Sequence, residues 1–159
     1  MDLPKRLDVH LTTAFTEALG KNALAIAGGA SADAMWKYAV KAAQNSHCPV
    51  TNRHYGCVLF SGQREFNIYE SGVIESRFGT TITAEDAAVA KLVHWTNGTA
   101  RIRSVMCVAY QGSDYRQAQV VIPSASRMAM IREFVGEKAF VYGVDEVGGI
   151  KHLVPQLIE

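Results

Sequence analysis

Cysteine is scarce in this 159-residue chain: there are only three, and no two of them form a Cys-x-x-Cys pair. That pair is a common spacing of zinc ligands, and the five histidines offer no His-x-x-x-His spacing in its place. Cys48, Cys57 and Cys107 lie in or beside apolar segments. This placement favours small buried side chains over metal ligands.

Long apolar runs and clusters of one charge are also missing. No stretch approaches the length of a membrane span, and the first residues lack the apolar core of a signal peptide. The formal net charge is +1 and the charges are scattered, so no basic stripe could follow a phosphate backbone. We therefore expect a cytoplasmic protein whose partners include neither a membrane nor nucleic acid.

What the sequence does contain is an alternation of helical and strand-like apolar patterns. They predict the order helix, strand, strand, helix, strand, helix, strand, with short pieces at each end. The predicted helices begin near residues 31, 83 and 124, the strands cover residues 55–60, 66–74, 102–110 and 139–144, and a last short helix covers 151–157. Strands alternating with helices indicate an α/β fold with helices packed on a sheet, and the initial hairpin makes that sheet mixed.

The chain begins with a segment of its own. Residues 8–27 have apolar positions at roughly helical spacing, and Gly28-Gly29 ends that element. We therefore predict an N-terminal helical extension, residues 1–30, followed by one domain, residues 31–159.

Several short strings resemble those of the cytidine deaminases, in the same order along the chain. Residues 47–59 lead into the first strand and resemble the family segment Pro-Tyr-Ser-Asn/His-Phe-x-Val-Gly-Ala-Ala-Leu. Residues 73–76 (Val-Ile-Glu-Ser) resemble Asn-Ile-Glu-Asn, and residues 83–85 (Thr-Ala-Glu) resemble Cys-Ala-Glu. Residues 123–127 (Pro-Ser-Ala-Ser-Arg) resemble Pro-Cys-Gly-x-Cys, and residues 153–158 (Leu-Val-Pro-Gln-Leu-Ile) resemble the closing Leu-Leu-Pro-x-x-Phe.

The resemblance implies a three-layer α/β/α cytidine deaminase-like fold with a mixed central sheet of about five strands. In the family's chemistry a zinc ion activates water for attack on the pyrimidine ring, and a glutamate moves the proton. The positions of the three zinc-binding cysteines match Thr83, Ser124 and Arg127 here. Hydroxyl groups are poor zinc ligands and a guanidinium stays protonated, so we expect neither zinc at this position nor another cofactor.

The resemblance places the proton-moving glutamate at Glu85, in the first turn of a predicted helix. Thr83 and Ser124 are residues that helix starts prefer, and an acid in the first turn is favourable too, so helix capping remains an alternative role for all three. We predict that Arg127 replaces part of the charge of the zinc ion and pairs with Glu85 or with an anionic group of a ligand. The alternative is a guanidinium that points into solvent.

The substrate side is altered as well. Arg53 stands where the family has the phenylalanine that flanks the base, and Glu75 would be the surviving contact to a sugar hydroxyl. The predicted substrate-binding residues are Arg53, Tyr55, Glu75, Thr83 and Ser124. Additional arginines near one cleft suit a carboxylate or phosphate better than a neutral nucleoside.

Three functions remain open from the sequence. The first is a zinc-independent enzyme acting on a nucleoside- or nucleotide-like small molecule, with Glu85 as acid or base and Arg127 orienting the substrate. The second is a non-catalytic protein that binds a small ligand or serves as a structural subunit beside a deaminase. The third, ranked last, is a hydrolytic deaminase with a metal held elsewhere. The resemblance also implies a homodimer or homotetramer.

Overall fold

A computed structural model describes residues 32–61, 68–147 and 150–158 of the chain. The predicted N-terminal extension lies outside these residues. The helices are α1 (Ala32–Gln44), α2 (Ala84–Thr96) and α3 (Ala125–Arg132), with a short 3-10 turn at Tyr115–Gln117. The strands are β1 (Arg53–Phe60), β2 (Ile68–Gly72), β3 (Ile74–Glu75), β4 (Thr81–Ile82), β5 (Ile102–Gln111), β6 (Gln119–Val121), β7 (Val135–Val147) and β8 (Ile150–Leu157).

In the described residues the central sheet has six strands, in the order β2-β1-β5-β7-β8, and β6 pairs with residues 107–109 of β5, beyond the segment of β5 that pairs with β7. Only β5 and β7 run parallel, and the other pairs in this sheet are antiparallel. The parallel pair is joined by a crossover that contains α3, as parallel neighbours require. The prediction of a mixed sheet with about five strands is therefore confirmed.

The helices cover both faces of the sheet, which explains the nearly continuous apolar run of β1. Val58 and Phe60 face α1, in a cluster that contains its fully buried Trp36. Cys57 and Leu59, on the opposite face, pack with residues of α2 and α3. Because successive strand residues point to opposite faces, a strand covered on both sides must be apolar throughout. The three-layer α/β/α arrangement is thus confirmed.

Helix α1 lies unusually close to β1. At Gly56 the position that a Cβ atom would take is only 2.4 Å from the carbonyl oxygen of Ala39 and from the backbone nitrogen of Ala43. A glycine at this position therefore allows the helix backbone to rest directly on the strand.

The predicted last helix is wrong, because residues 150–157 form β8. This strand pairs with β7 along its whole length, from Val147↔Ile150 to Phe140↔Leu157. Pro155 is tolerated because β8 lies at the edge of the sheet, where a missing backbone N–H breaks no ladder. Pairing with the preceding strand has outweighed the helical pattern of residues 151–157.

Other boundaries differ in smaller ways. Helix α3 ends at Arg132, and β7 already begins at Val135, so Gly136 lies inside a strand and does not end the helix. The predicted strand 66–74 is interrupted within the described residues, because β2 covers Ile68–Gly72 and Ile74 belongs to β3. The hairpin β3–β4 and the strand β6 were not predicted, since strands of two or three residues have no measurable periodicity. No helix in the described ranges has the length and apolar character needed to span a bilayer.

Candidate functional site

A pocket of about 380 Å³ lies where the first turns of α2 and α3 meet the start of β1. The region around β3 and the strand β6 complete its wall. The structure brings all of the predicted site residues to this pocket: Arg53, Tyr55, Glu75, Thr83, Glu85, Ser124 and Arg127. Residues that are far apart in sequence therefore share one cavity.

Glu85 lies at the buried end of the pocket, with 3% of its surface exposed. Its carboxyl group accepts a hydrogen bond from the Tyr55 hydroxyl, and the Cys107 thiol donates to Oε1 over 3.9 Å. Burial raises the pKa of Glu85 above its usual value of 4.5. The Tyr55 hydrogen bond and the charge of Arg127 offset that rise only in part. A carboxyl group whose pKa is raised by burial holds its proton to higher pH than an exposed one, which suits an acid–base group.

Arg127 does not pair with Glu85, which was one of the two partners that the sequence predicted; the other was an anionic group of a ligand. Its Nη1 donates to Oδ2 of Asp86 over 3.1 Å, and the two side chains are 37% and 43% exposed. Glu85 is turned towards the sheet while Asp86, one helical position later, faces α3, because neighbouring residues on a helix point in different directions. The guanidinium still lines the pocket and its charge acts on Glu85, so it has not moved into bulk solvent.

Thr83 and Ser124 are the N-cap residues of α2 and α3. The Thr83 hydroxyl caps its helix by accepting a hydrogen bond from the Asp86 backbone nitrogen over 3.2 Å. Ser124 makes no such bond, and its hydroxyl lies 3.2 Å from that of Ser126. Ser124 is thus the N-cap of α3 by position, as predicted, but without a side-chain capping bond, and it lines the pocket.

The donors at this position do not fit zinc. Two hydroxyls and a guanidinium stand where the resemblance implies three thiolates, and none of them readily becomes an anionic ligand. Over residues 32–61, 68–147 and 150–158, no three His, Cys, Asp or Glu side chains come together as a set that could hold a metal.

Glu75 is held by the loop that precedes β1. Its Oε1 accepts from the Thr51 backbone nitrogen over 3.2 Å, and its Oε2 accepts from the Thr51 hydroxyl over 2.9 Å. Burial raises the pKa of Glu75, but these hydrogen bonds outweigh that effect and lower the pKa overall. Glu75 is thus an ionised carboxylate whose orientation is fixed, with lone pairs left on each oxygen for a further donor.

Arg53 and Tyr55 form the wall opposite the two helices. The Arg53 guanidinium lies over the Tyr55 ring, 5.6 Å from its centroid. Burial raises the pKa of Tyr55, and the nearby Cys107 and Glu85 raise it further, so its hydroxyl keeps its proton. The arrangement places a cation at the mouth of the pocket and a hydrogen-bond donor at its base.

Several pocket features were missed by reasoning from sequence. Val121 and Ile122 form an apolar part of the wall at the end of β6, which was not predicted. Thr51 carries no catalytic signature, although it lies inside the string that resembles the deaminases. Asp86 and Cys107 were interpreted from the sequence only as an acid at a helix start and a buried thiol, and not as contacts of Arg127 and Glu85.

Comparison with solved structures identifies the fold. The chain is similar to the cytidine deaminase from Mycobacterium leprae, with 20% identity and a TM-score of 0.58 over 79% of this chain and 92% of that one. It is also similar to the cytidine deaminase from Mycobacterium tuberculosis (18%, 0.56, 77% and 85%) and to that from Burkholderia pseudomallei (14%, 0.55, 77% and 90%). No protein-family model and no curated protein sequence matches the chain. The chain therefore has the cytidine deaminase-like fold.

Proposed function

We propose that this protein is a zinc-independent enzyme that acts on a nucleoside- or nucleotide-like small molecule, with Glu85 as its acid or base. The observation that carries the proposal is a buried carboxyl group of raised pKa at the base of an open pocket. Carboxyl groups are seldom buried without a direct ion-pair partner, and a buried carboxyl group of raised pKa in a cleft is a candidate for acid–base catalysis. The deaminase-like fold supports the substrate class.

The size and lining of the pocket suit such a ligand. A cavity of about 380 Å³ lies within the range of small-molecule sites, and its walls combine apolar side chains with a few polar groups. Phe78 does not fill the pocket, because it is 97% exposed at the turn between β3 and β4. A nucleoside-sized molecule therefore has room to reach Glu85.

The charges favour a ligand with an anionic group. Arg53 and Arg127 both line the pocket, and the helices α2 and α3 direct their positive N-terminal ends towards it. Arg127 has five N–H donors, and only Nη1 is directed at Asp86, so the fork has donors left for a phosphate or carboxylate. We infer that Arg127 binds and orients that group in the place where the resemblance implies a metal.

A thermal-shift screen of nucleosides, bases and nucleoside monophosphates tests the proposal. A ligand that binds only the native state raises the melting temperature, and we expect a monophosphate to give the largest rise. Arg127→Ala should weaken binding of the monophosphate about 10–100-fold, since bonds to a charged group contribute about 1.5–3 kcal/mol. Stability should change by less than about 1 kcal/mol, because the half-exposed pair with Asp86 contributes little.

The matched control is Arg132→Ala, which removes an exposed arginine from the last turn of the same helix. It should leave binding unchanged. If no compound of these classes raises the melting temperature, or if the two arginine variants behave alike, the proposal fails. A rise that disappears after treatment with a chelator would instead revive the metal-dependent deaminase.

A non-catalytic ligand-binding protein is the second candidate. Glu75 favours this candidate, because both of its carboxylate oxygens accept hydrogen bonds from Thr51. This pocket carboxylate therefore has a structural role, which is to hold the loop before β1. Incubation with the ligand found by the screen, followed by mass spectrometry, separates the two, because only the enzyme forms a product.

We also propose that the chain assembles into a homodimer or homotetramer. Ile74, Phe78 and Ile82 expose apolar surface on and beside the β3–β4 hairpin, and such a patch is suited to burial against another subunit.

A further inference from the structure

Two buried cysteines lie directly beneath Glu85, and the proposed acid–base role has not used them. Cys57 of β1 and Cys107 of β5 are paired residues of the antiparallel ladder, and both are fully buried. Their side chains are in hydrogen-bond contact. They face the same side of the sheet as α2, the helix that carries Glu85.

The donor and the acceptor of each hydrogen bond between Cys57, Cys107 and Glu85 follow from the groups involved. The hydrogen bond with Cys107 raises the pKa of Cys57, and burial raises it further, so Cys57 keeps its proton and can donate it to the Cys107 sulfur. The Cys107 thiol in turn donates to Oε1 of Glu85 over 3.9 Å. The result is a chain of two thiol donors that ends on the carboxyl group.

We propose that Cys107 is a positioning residue for Glu85. The Cys107 thiol holds Oε1 of Glu85 from the side of the sheet, and the Cys57 thiol holds the Cys107 sulfur in place. The Tyr55 hydroxyl donates from the side of the pocket. With these donors in place the carboxyl group keeps one orientation and presents its other face to a ligand. The inference rests on the proposed role of Glu85, and its test requires no ligand.

A thiol suits this position for two physical reasons. It is a weak donor, so it orients the carboxyl group without supplying the strong hydrogen bonds that would bring its pKa down to the ordinary range. It is also apolar enough to pack in the layer between the sheet and α2, where Leu92 and Val105 are fully buried. The floor of the pocket therefore stays free of competing charge.

The test is the titration of Glu85 in the full chain, followed by NMR of the ¹³C-labelled carboxyl group and assigned by its absence in Glu85→Gln. The charged and titratable groups facing it are Tyr55 and Cys57 of β1, Cys107 of β5, Asp86 of its own helix and Arg127 of α3. Only Cys107 changes among them in the decisive variants, so a shift of the midpoint reports on its thiol.

We expect Cys107→Ala to move the midpoint to higher pH, because the ionised form loses a donor. Cys107→Ser keeps a donor of similar size and should leave the midpoint at or below that of the wild type, which excludes an effect of lost packing. Cys57→Ala, a change of equal size one strand away, should move it less than Cys107→Ala.

An unchanged midpoint in Cys107→Ala overturns the inference, and so does a Cys57→Ala shift as large as that of Cys107→Ala. Should Cys107→Ala fail to fold, a Cys107→Ser midpoint above that of the wild type overturns it as well. Since no ligand is present, these outcomes are independent of whether the pocket binds a nucleotide.

Discussion

Glu85→Gln should abolish turnover of the ligand identified by the thermal-shift screen while leaving its binding largely intact. Glutamine has nearly the same shape and still accepts from Tyr55 and Cys107, but it cannot take or give a proton at neutral pH. General acid–base catalysis contributes about 10²–10⁴-fold, so product formation should fall by at least about 100-fold. Mass spectrometry of the reaction and a binding titration of the same sample measure the two effects separately.

The same substitution has a pH-dependent effect on stability that needs no ligand. Burial raises the pKa of Glu85 in the folded state, so its contribution to stability is fully present below the usual value of 4.5 and is lost as the pH rises through the folded-state pKa. Glutamine does not ionise. The free energy of unfolding of Glu85→Gln, relative to that of the wild type, should therefore increase as the pH is raised over that interval.

Glu133→Gln is the matched control, because Glu133 is exposed at the end of α3. Glu133→Gln should form product at the wild-type rate. Its free energy of unfolding, relative to that of the wild type, should not change with pH over the same interval. Turnover that survives in Glu85→Gln would exclude Glu85 as the acid or base. If the difference in free energy of unfolding between Glu85→Gln and the wild type does not change with pH, the Glu85 carboxyl group is not buried in solution.

Gly56→Ala should lower the free energy of unfolding by more than about 3 kcal/mol. The new methyl group would lie 2.4 Å from backbone atoms of both Ala39 and Ala43, which have no rotamer through which to move away. Relief requires lifting α1 from the sheet and exposing the core around Trp36. Overpacking of side chains alone costs about 1–3 kcal/mol, and a backbone clash exceeds that range, within a total stability of about 5–15 kcal/mol.

Denaturant titration followed by circular dichroism measures this loss. Gly136→Ala in β7 is the control, since its methyl group would meet the Arg101 Cβ at an ordinary contact distance of 3.5 Å. We expect the control to change the free energy of unfolding by less than about 1 kcal/mol. Equal effects of the two substitutions would mean that α1 does not rest on β1 at Gly56 as described.

The parts of the fold that sequence reasoning predicted well are those determined by local interactions. The start of α2 follows from the Thr83 hydroxyl and the Asp86 backbone, which are three residues apart. The buried strand β5 follows from its own apolar run. By contrast, β8 exists because β7 offers a partner, and no feature of residues 150–157 themselves distinguishes that strand from a short helix.

The same distinction between local sequence and the packing of elements applies to the candidate site. The resemblance of a few strings was enough to select seven residues that line the pocket, from Arg53 to Arg127, but not the apolar wall at Val121 and Ile122. It was not enough to choose which acid would meet Arg127, because that depends on how α2 is rotated against the sheet. The contact between Cys107 and Glu85 likewise arises only when β5 is laid beneath the helix.

The positions that match the zinc-binding cysteines of the cytidine deaminases line a pocket that contains two hydroxyls, an arginine paired with Asp86, and the buried Glu85. The most direct test of its proposed role is a crystal structure of the wild-type protein with the nucleotide that raises the melting temperature most, recorded above the zinc absorption edge. We expect the nucleotide in this pocket, with its phosphate at Arg127, a polar atom at Glu85, and no anomalous peak. A zinc peak between Thr83 and Ser124, or a nucleotide bound elsewhere, would contradict the central claim.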